Sequence, residues 1–251
     1  MRYANSVPIE DEPKPEHRFT GDDRPPPGWR RLIEGAWLLP RLMRGFADVG
    51  VVGPEAGPRA YVIPGFFASD RTCSELRQAL GAAGWRTFPW DLGLNKGAHA
   101  DTLRHIRQRL EVIHDGTPIL LVGWSLGGVY AREVAREVPE LVRAIVTLGS
   151  PFSGDPHMNN VWRLYEWVAG HRVDRPPVPH FPDKPPVPTL AIWSVKDGIV
   201  AKRAARGLEG ERDKEVEIGC SHMAFGVSRR ASRRVVREIM RFLDEVESAE
   251  R

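Results

Sequence analysis

The chain has 251 residues, with 36 Lys and Arg against 33 Asp and Glu, which gives a formal net charge of +3. Hydrophobic residues make up 41% and charged residues 27%, so the chain can build an ordinary core, and wholesale disorder is excluded. The small charge excess gives no reason to expect a nucleic-acid partner. Two cysteines, Cys73 and Cys220, form neither a disulfide framework nor a metal-spaced pair.

No segment approaches the roughly 20 apolar residues that a membrane-spanning helix needs. Residues 1–20 are polar and rich in proline, without the apolar core of a secretory signal. We therefore expect a cytoplasmic protein in which both cysteines are free thiols.

Residues 1–55 are predicted to lie outside the main domain, which we place at residues 56–251. Residues 1 to about 27 are polar and proline-rich, which predicts a disordered arm. Residues 29–49 have apolar side chains at helical spacing, and Pro40 interrupts them. We expect this amphipathic helix to dock on the domain. A weak membrane-surface contact through 29–49 is the alternative, although Glu34 and Asp48 dilute its basic charge.

Short apolar runs alternate with helical patterns from residue 59 onward. The predicted strands are 60–63, 85–90, 118–123, 144–148, 190–194 and 216–218. The predicted helices are 74–83, 101–113, 126–138 and 228–247, with a helical turn at 201–208. Such alternation is typical of a mostly parallel sheet covered by helices on both faces, the α/β class. Residues 151–188 break the rhythm with a run of prolines, which predicts a cap or lid.

The strongest chemical signal is the sequence Gly-Trp-Ser-Leu-Gly-Gly at 123–128, which fits the pattern G-x-S-x-G. An apolar strand precedes it and a helix follows it, so the turn at Ser125 is sharp and exposes the hydroxyl at the carboxyl end of the sheet. The helix N-terminus there favours developing negative charge. We predict that Ser125 is a nucleophile.

A serine hydroxyl needs a base to accept its proton and a carboxylate to orient that base. His222 follows the last predicted strand, and Asp197 follows the strand before it. Both would lie at the same edge of the sheet as Ser125, in the chain order Ser, Asp, His. Asp155, Asp174 and Asp183 are weaker candidates for the acid because they lie in the irregular insertion.

An oxyanion hole would complete the site. The backbone N–H groups of Leu126, after the nucleophile, and Phe66, in the turn after the first strand, are the predicted donors. Four aromatic residues are predicted to contact the substrate, although core packing is an equally good interpretation of each: Phe67, Trp124, Phe152 and Trp162.

The segment from about 59 to 243 resembles the α/β-hydrolase superfamily, in the style of bacterial lipases and carboxylesterases. The resemblance is carried by VIPGFFASD, LVGWSLGG, VTLGSPF, SVKDGIV and GCSHMAF. It implies an eight-stranded, mostly parallel sheet with a cap after the sixth strand. The chain has Pro64-Gly65 where many such lipases have His-Gly, and Trp124 where many have His.

These observations predict a serine hydrolase that cleaves carboxyl esters through a Ser125–Asp197–His222 triad and an acyl-enzyme. Its substrate would be a small-molecule or lipid ester, with no cofactor, metal or nucleic acid required. Two alternatives remain open. One is an acyltransferase with the same acyl-enzyme, and the other is a non-catalytic binding protein on a hydrolase scaffold.

Overall fold

A computed structural model describes residues 21–30, 34, 50–249 and 251 of the protein. The strands are β1 (Arg59–Ile63), β2 (Arg86–Phe88), β3 (Ile119–Trp124), β4 (Val142–Leu148), β5 (Thr189–Trp193) and β6 (Lys214–Glu217). The helices are α1 (Ser74–Ala82), α2 (Thr102–Ile113), α3 (Leu126–Glu137), α4 (Trp162–Ala169), α5 (Lys202–Arg206), α6 (Ala224–Val227) and α7 (Arg229–Ala249).

The strands form one sheet in the order β2-β1-β3-β4-β5-β6, and every neighbouring pair is parallel. The α/β prediction is confirmed. The described part of the chain contributes six strands, fewer than the eight that the resemblance implies. Ahead of β1, residues 50–58 contain Gly53, Pro54, Gly57 and Pro58 and contribute only an isolated antiparallel bridge, from Val52 to Thr87. Glycine and proline interrupt strand pairing, which explains why no further strand forms there.

Two apolar layers hold the sheet between its helices. Alternate side chains of each strand face opposite sides, so Val62 packs with α1 and α7 while Tyr61 and Ile63 pack with α2 and α3. Every residue of β3 is buried, as expected of a central parallel strand. This packing fixes the strand ends, and all carboxyl ends lie along one edge of the sheet.

The predicted helices and strands agree with the structure to within a few residues at each boundary. The insertion at 151–188 lies between β4 and β5, and it contains one helix, α4, that the sequence analysis left unassigned. Within the described residues, no helix is both long enough and apolar enough to cross a membrane.

The end of the N-terminal arm is ordered, which corrects the prediction of disorder for residues 21–27. Asp22 and Asp23 form ion pairs with basic side chains of α5, including Arg203, and the carbonyl of Pro26 accepts a hydrogen bond from Asn160. These ion pairs attach the polar end of the arm to the domain, although it has few apolar side chains to bury. The predicted helix at 29–49 lies mostly outside the described residues; Arg30 and Glu34 are its described helical positions.

Candidate active site

Ser125 occupies the sharp corner between β3 and α3. Its backbone has φ 53° and ψ −122°, a strained conformation for a residue with a side chain. The glycines around it are sterically required. A Cβ on Gly123 would lie 2.3 Å from the Cα of Gly128, and one on Gly127 would lie 2.2 Å from the carbonyl oxygen of Ile63. The corner therefore has the geometry that the G-x-S-x-G pattern predicts.

The turn after β1 lies against this corner. A Cβ on Gly65 would lie 3.0 Å from the Cβ of Ser125, so a larger residue there would press on the corner, and glycine favours the close approach. Among the described residues, the backbone N–H groups of Phe66 and Leu126 donate to no backbone acceptor beyond their own element. Two unused donors beside a serine hydroxyl are what an oxyanion hole requires.

Asn95 holds the turn after β1 in place, and the sequence analysis missed it. Its side-chain amide donates to the carbonyl of Pro64 at 2.9 Å, and its backbone carbonyl accepts from the N–H of Phe67 at 2.8 Å. Phe67 has φ 56°, which these bonds help to maintain. No local pattern around Asn95 signals this role, because its partners lie some 30 residues earlier in the chain.

The structure brings Asp197 and His222 together at the carboxyl ends of β5 and β6. The Nδ1 atom of His222 lies 2.7 Å from Oδ2 of Asp197, and both side chains are almost completely buried. The other carboxylate oxygen, Oδ1, accepts hydrogen bonds from the N–H groups of Ile199 and Val200, each at 2.8 Å. The Asp197 carboxylate is therefore held by two backbone N–H groups as well as by the imidazole.

The pKa of His222 is raised above the ordinary 6.5. Burial acts to lower it, but the charge and the hydrogen bond of Asp197, together with the charge of Glu34, outweigh burial. A raised pKa means that the site stabilises the imidazolium, the form that a catalytic base adopts after accepting a proton.

Gly149 and Trp124 form the walls around this pair. Gly149 has φ 55°, and a Cβ there would lie 3.0 Å from Oδ2 of Asp197 and 3.1 Å from Nδ1 of His222. The Trp124 ring packs at 5.9 Å from the imidazole centroid. The imidazole therefore has neighbours on two sides, and Gly149 leaves no room for a side chain beside it.

Ser125 lies at a cavity of about 530 Å³, within the size range of small-molecule sites. The insertion supplies much of its wall, including Trp162 and Tyr165 from α4. The apolar lining also includes Phe66, Leu126, Val129, Val161, Val178, Ile199 and Val200. His180 also lines it, and burial with the nearby charges of Arg132 and Arg136 lowers its pKa to about 4, so this imidazole is neutral near pH 7.

Among the four aromatic residues predicted to contact the substrate, Trp162 lines the cavity. Trp124 is buried beside His222, and Phe152 is buried with the Arg132 guanidinium 4.3 Å from its ring. Phe67 is about half exposed and packs on Phe66. These three do not line the cavity. The sequence could not separate core from pocket, because both environments favour aromatic residues.

The competing candidates have other contacts. Asp155 bonds the ring of His157 in the same loop, and Asp174 pairs with Arg172. The thiol of Cys220 has a pKa raised to about 12, mainly by burial and then by the charge of Asp197, so it is a poor nucleophile. The described residues contain no cluster of three or more His, Cys, Asp or Glu able to hold a metal ion.

Glu34 is the second residue that the sequence analysis missed. Its carboxylate is buried at the back of the Asp197 and His222 loops and accepts hydrogen bonds from backbone N–H groups in both. In the sequence it is a single acid within an apolar helical pattern, which ordinarily indicates a solvent-facing position.

The family model for the alpha/beta hydrolase fold matches residues 61–182. Solved structures similar to this one include a monoacylglycerol lipase from Paleococcus ferrophilus, with 13% identity, 78% of this chain and 97% of that chain covered and a TM-score of 0.54. An alpha/beta hydrolase from a lagoon-sediment metagenome at Mar Chica, Morocco, has 18% identity, coverage of 78% and 94% and a TM-score of 0.57.

Polyneuridine aldehyde esterase is a third similar structure, with 13% identity, coverage of 73% and 99% and a TM-score of 0.54. No curated protein sequence gives a significant match. At these identities the solved structures establish a shared fold.

Proposed function

Because this chain has the α/β-hydrolase fold, we propose that it is a serine hydrolase that cleaves carboxyl esters. The observation that carries the proposal is the buried Asp197–His222 pair, 2.7 Å apart, at the same sheet edge as the strained corner of Ser125. A buried, oriented imidazole and a partly exposed corner serine are two parts that nucleophilic acyl transfer needs.

The chemistry follows from the positions of these groups. His222 accepts the hydroxyl proton of Ser125 as the serine oxygen attacks the ester carbonyl carbon. The carbonyl oxygen gains negative charge, which the N–H groups of Phe66 and Leu126 stabilise. The C–O bond to the alcohol then breaks, and imidazolium returns the proton to the departing alkoxide. Water, activated by His222, hydrolyses the acyl-enzyme and regenerates the serine.

The cavity favours an uncharged, apolar acyl or alcohol group. Its lining is dominated by aliphatic and aromatic side chains, and the pKa of His180, lowered by burial, leaves that imidazole neutral. Two charged residues, Asp174 and Arg175, also line it, and Asp174 is paired with Arg172. The names of two similar structures, a monoacylglycerol lipase and an esterase, agree with ester cleavage. The cap segment at 151–188, which supplies Trp162, would set the length of the accepted group.

The direct test is a panel of p-nitrophenyl esters from acetyl to long acyl chains, with wild-type protein, Ser125→Ala and the control Ser248→Ala. Ser248 lies near the end of α7, where its hydroxyl bonds the carbonyl of Asp244. We expect turnover in wild type and control and a loss of about 10³-fold or more in Ser125→Ala. A fluorophosphonate should label wild type and control but not Ser125→Ala.

An unlabelled wild-type protein without ester turnover would contradict the proposal and favour a binding protein on this scaffold. Adding an alcohol or amine to the assay distinguishes hydrolysis from acyl transfer, because a transferase would form the new ester or amide in preference to the free acid.

A further inference from the structure

Glu34 connects the two loops that carry the catalytic acid and base. Its Oε1 atom accepts hydrogen bonds from the N–H groups of Gly198, at 2.9 Å, and His222, at 2.8 Å. Its Oε2 atom accepts from the N–H of Met223 at 2.8 Å. The residue is only 3% exposed. A single carboxylate from far upstream in the chain thus fixes the backbone of the base and of the residue next to the acid.

Gly198 leaves room for the Glu34 side chain because it has no side chain of its own. A Cβ on Gly198 would lie 2.9 Å from Oε1 of Glu34 and 3.0 Å from the carbonyl oxygen of Arg30. A larger residue would require the Glu34 side chain or the backbone at Arg30 to shift. The loop is therefore shaped to receive this carboxylate.

Two further contacts hold the upstream segment over the same loop. The guanidinium of Arg30 donates to the carbonyl of Val195 at 2.9 Å. The amide of Asn160 bridges the segment and the loop, because it donates to the carbonyls of Pro26, at 2.6 Å, and Gly198, at 3.1 Å. The Glu34 contact is one of several independent attachments around Asp197.

The charge of Glu34 also acts on the base. Asp197 and Glu34 are the two acidic groups whose charges raise the pKa of His222, against the opposing effect of burial. Lys196 and Arg234 lie close enough to act on the neighbouring Cys220. Negative charge near an imidazole favours imidazolium.

We infer that Glu34 is a positioning residue for the hydrolase site. Its carboxylate holds the Asp197 and His222 loops in a fixed position relative to each other, and it adds a second negative charge behind the base. The inference rests on the proposed function, because it assigns Glu34 a role only if His222 is the base. Glu34 reaches the backbone of His222 and not the cavity side, so it would act through His222.

The first variant is Glu34→Gln. An amide can accept two of the three N–H bonds but presents its NH₂ group to the third, and it removes the charge. We expect kcat to fall roughly 10- to 100-fold, since small displacements of catalytic groups have effects of this size. KM should change little, because Glu34 does not line the cavity. The acidic limb of the kcat/KM profile should move to lower pH, because imidazolium loses a stabilising charge.

The second variant, Arg30→Met, removes the bond to Val195 without touching Glu34. We expect kcat to fall less than in Glu34→Gln, and the acidic limb of the kcat/KM profile to stay at its wild-type pH. Asp213→Asn is the charge control. Asp213 accepts from the N–H of Thr189, at the opposite end of β5 from Asp197, so its loss should leave both kcat and the pH profile unchanged. All rates are expressed per fluorophosphonate-labelled molecule, so that unfolded protein does not contribute.

A Glu34→Gln variant with wild-type kcat per labelled molecule and an unmoved acidic limb would overturn the inference, whatever its thermal stability. So would an equal shift of the limb in Asp213→Asn. These outcomes presuppose that the wild-type enzyme labels at Ser125. Absence of that labelling is instead a failure of the proposed function.

Discussion

Replacing Asp197 with Asn separates the proposed catalytic role of this residue from its structural role. The Oδ1 atom of Asp197 accepts the N–H groups of Ile199 and Val200, and an asparagine carbonyl can accept both. The amide NH₂ then faces Nδ1 of His222, where the carboxylate Oδ2 lies at 2.7 Å in the native chain. An NH₂ donor requires Nδ1 to be the acceptor, so the ring proton moves to Nε2, and the ring can no longer accept the proton of Ser125.

The expected loss in kcat is about 10⁴-fold near pH 7, equivalent to roughly 5.5 kcal/mol of transition-state stabilisation. The loss in folding stability should be small, because the backbone hydrogen bonds survive. Asp197→Ala should behave differently. It leaves two buried N–H groups without partners, at about 1–3 kcal/mol each, and should lower the free energy of unfolding clearly.

The assay compares initial rates on one p-nitrophenyl ester with urea unfolding for wild type, Asn and Ala variants. Asp101→Asn is the control, because Asp101 pairs with Arg104 on the surface and does not line the cavity. If Asp197→Asn retains activity within about tenfold of wild type while an acid in 151–188 proves essential, the acid assignment is wrong. If the Asn variant is as unstable as the Ala variant, the hydrogen-bond account of the loop is wrong.

Three further outcomes are expected. Gly149→Ala should lower kcat strongly, because the added Cβ would meet both Asp197 and His222. The control Gly84→Ala is also at positive φ but in open space, so it should cost only about 1–2 kcal/mol of folding stability and leave turnover normal. Trp162→Ala should shift the ester panel toward longer chains because Trp162 lines the cavity, while the exposed Trp167 on the same helix should be replaceable without effect. In a profile of kcat/KM against pH, activity should be lost as pH falls through the pKa of His222, because the neutral ring is the base. Since that pKa is raised, the loss should occur at a higher pH than the 6.5 of an ordinary histidine. An acidic limb below 6.5 would show that burial outweighs the two carboxylates.

Local sequence patterns were enough to predict the architecture and the principal candidates of the site. Apolar periodicity was sufficient to place β1 to β6 and the long helices, because period and burial are local properties of the chain. Ser125, Asp197 and His222 could be chosen because each follows a strand, and parallel strands present their carboxyl ends at one edge. Glycines around Ser125 gave a local signal, since a sharp corner excludes a Cβ.

The surroundings of these residues depend on how distant parts of the chain pack together. Trp124 and Phe152 belong to the core and Trp162 to the cavity, although composition makes them equivalent. Asn95 and Glu34 act on backbone groups about 30 and more than 160 residues away, respectively. A buried carboxylate is stable there because three backbone N–H groups converge on it. That convergence exists only after β5, β6 and the upstream segment have packed together, so no pattern in the sequence could reveal it.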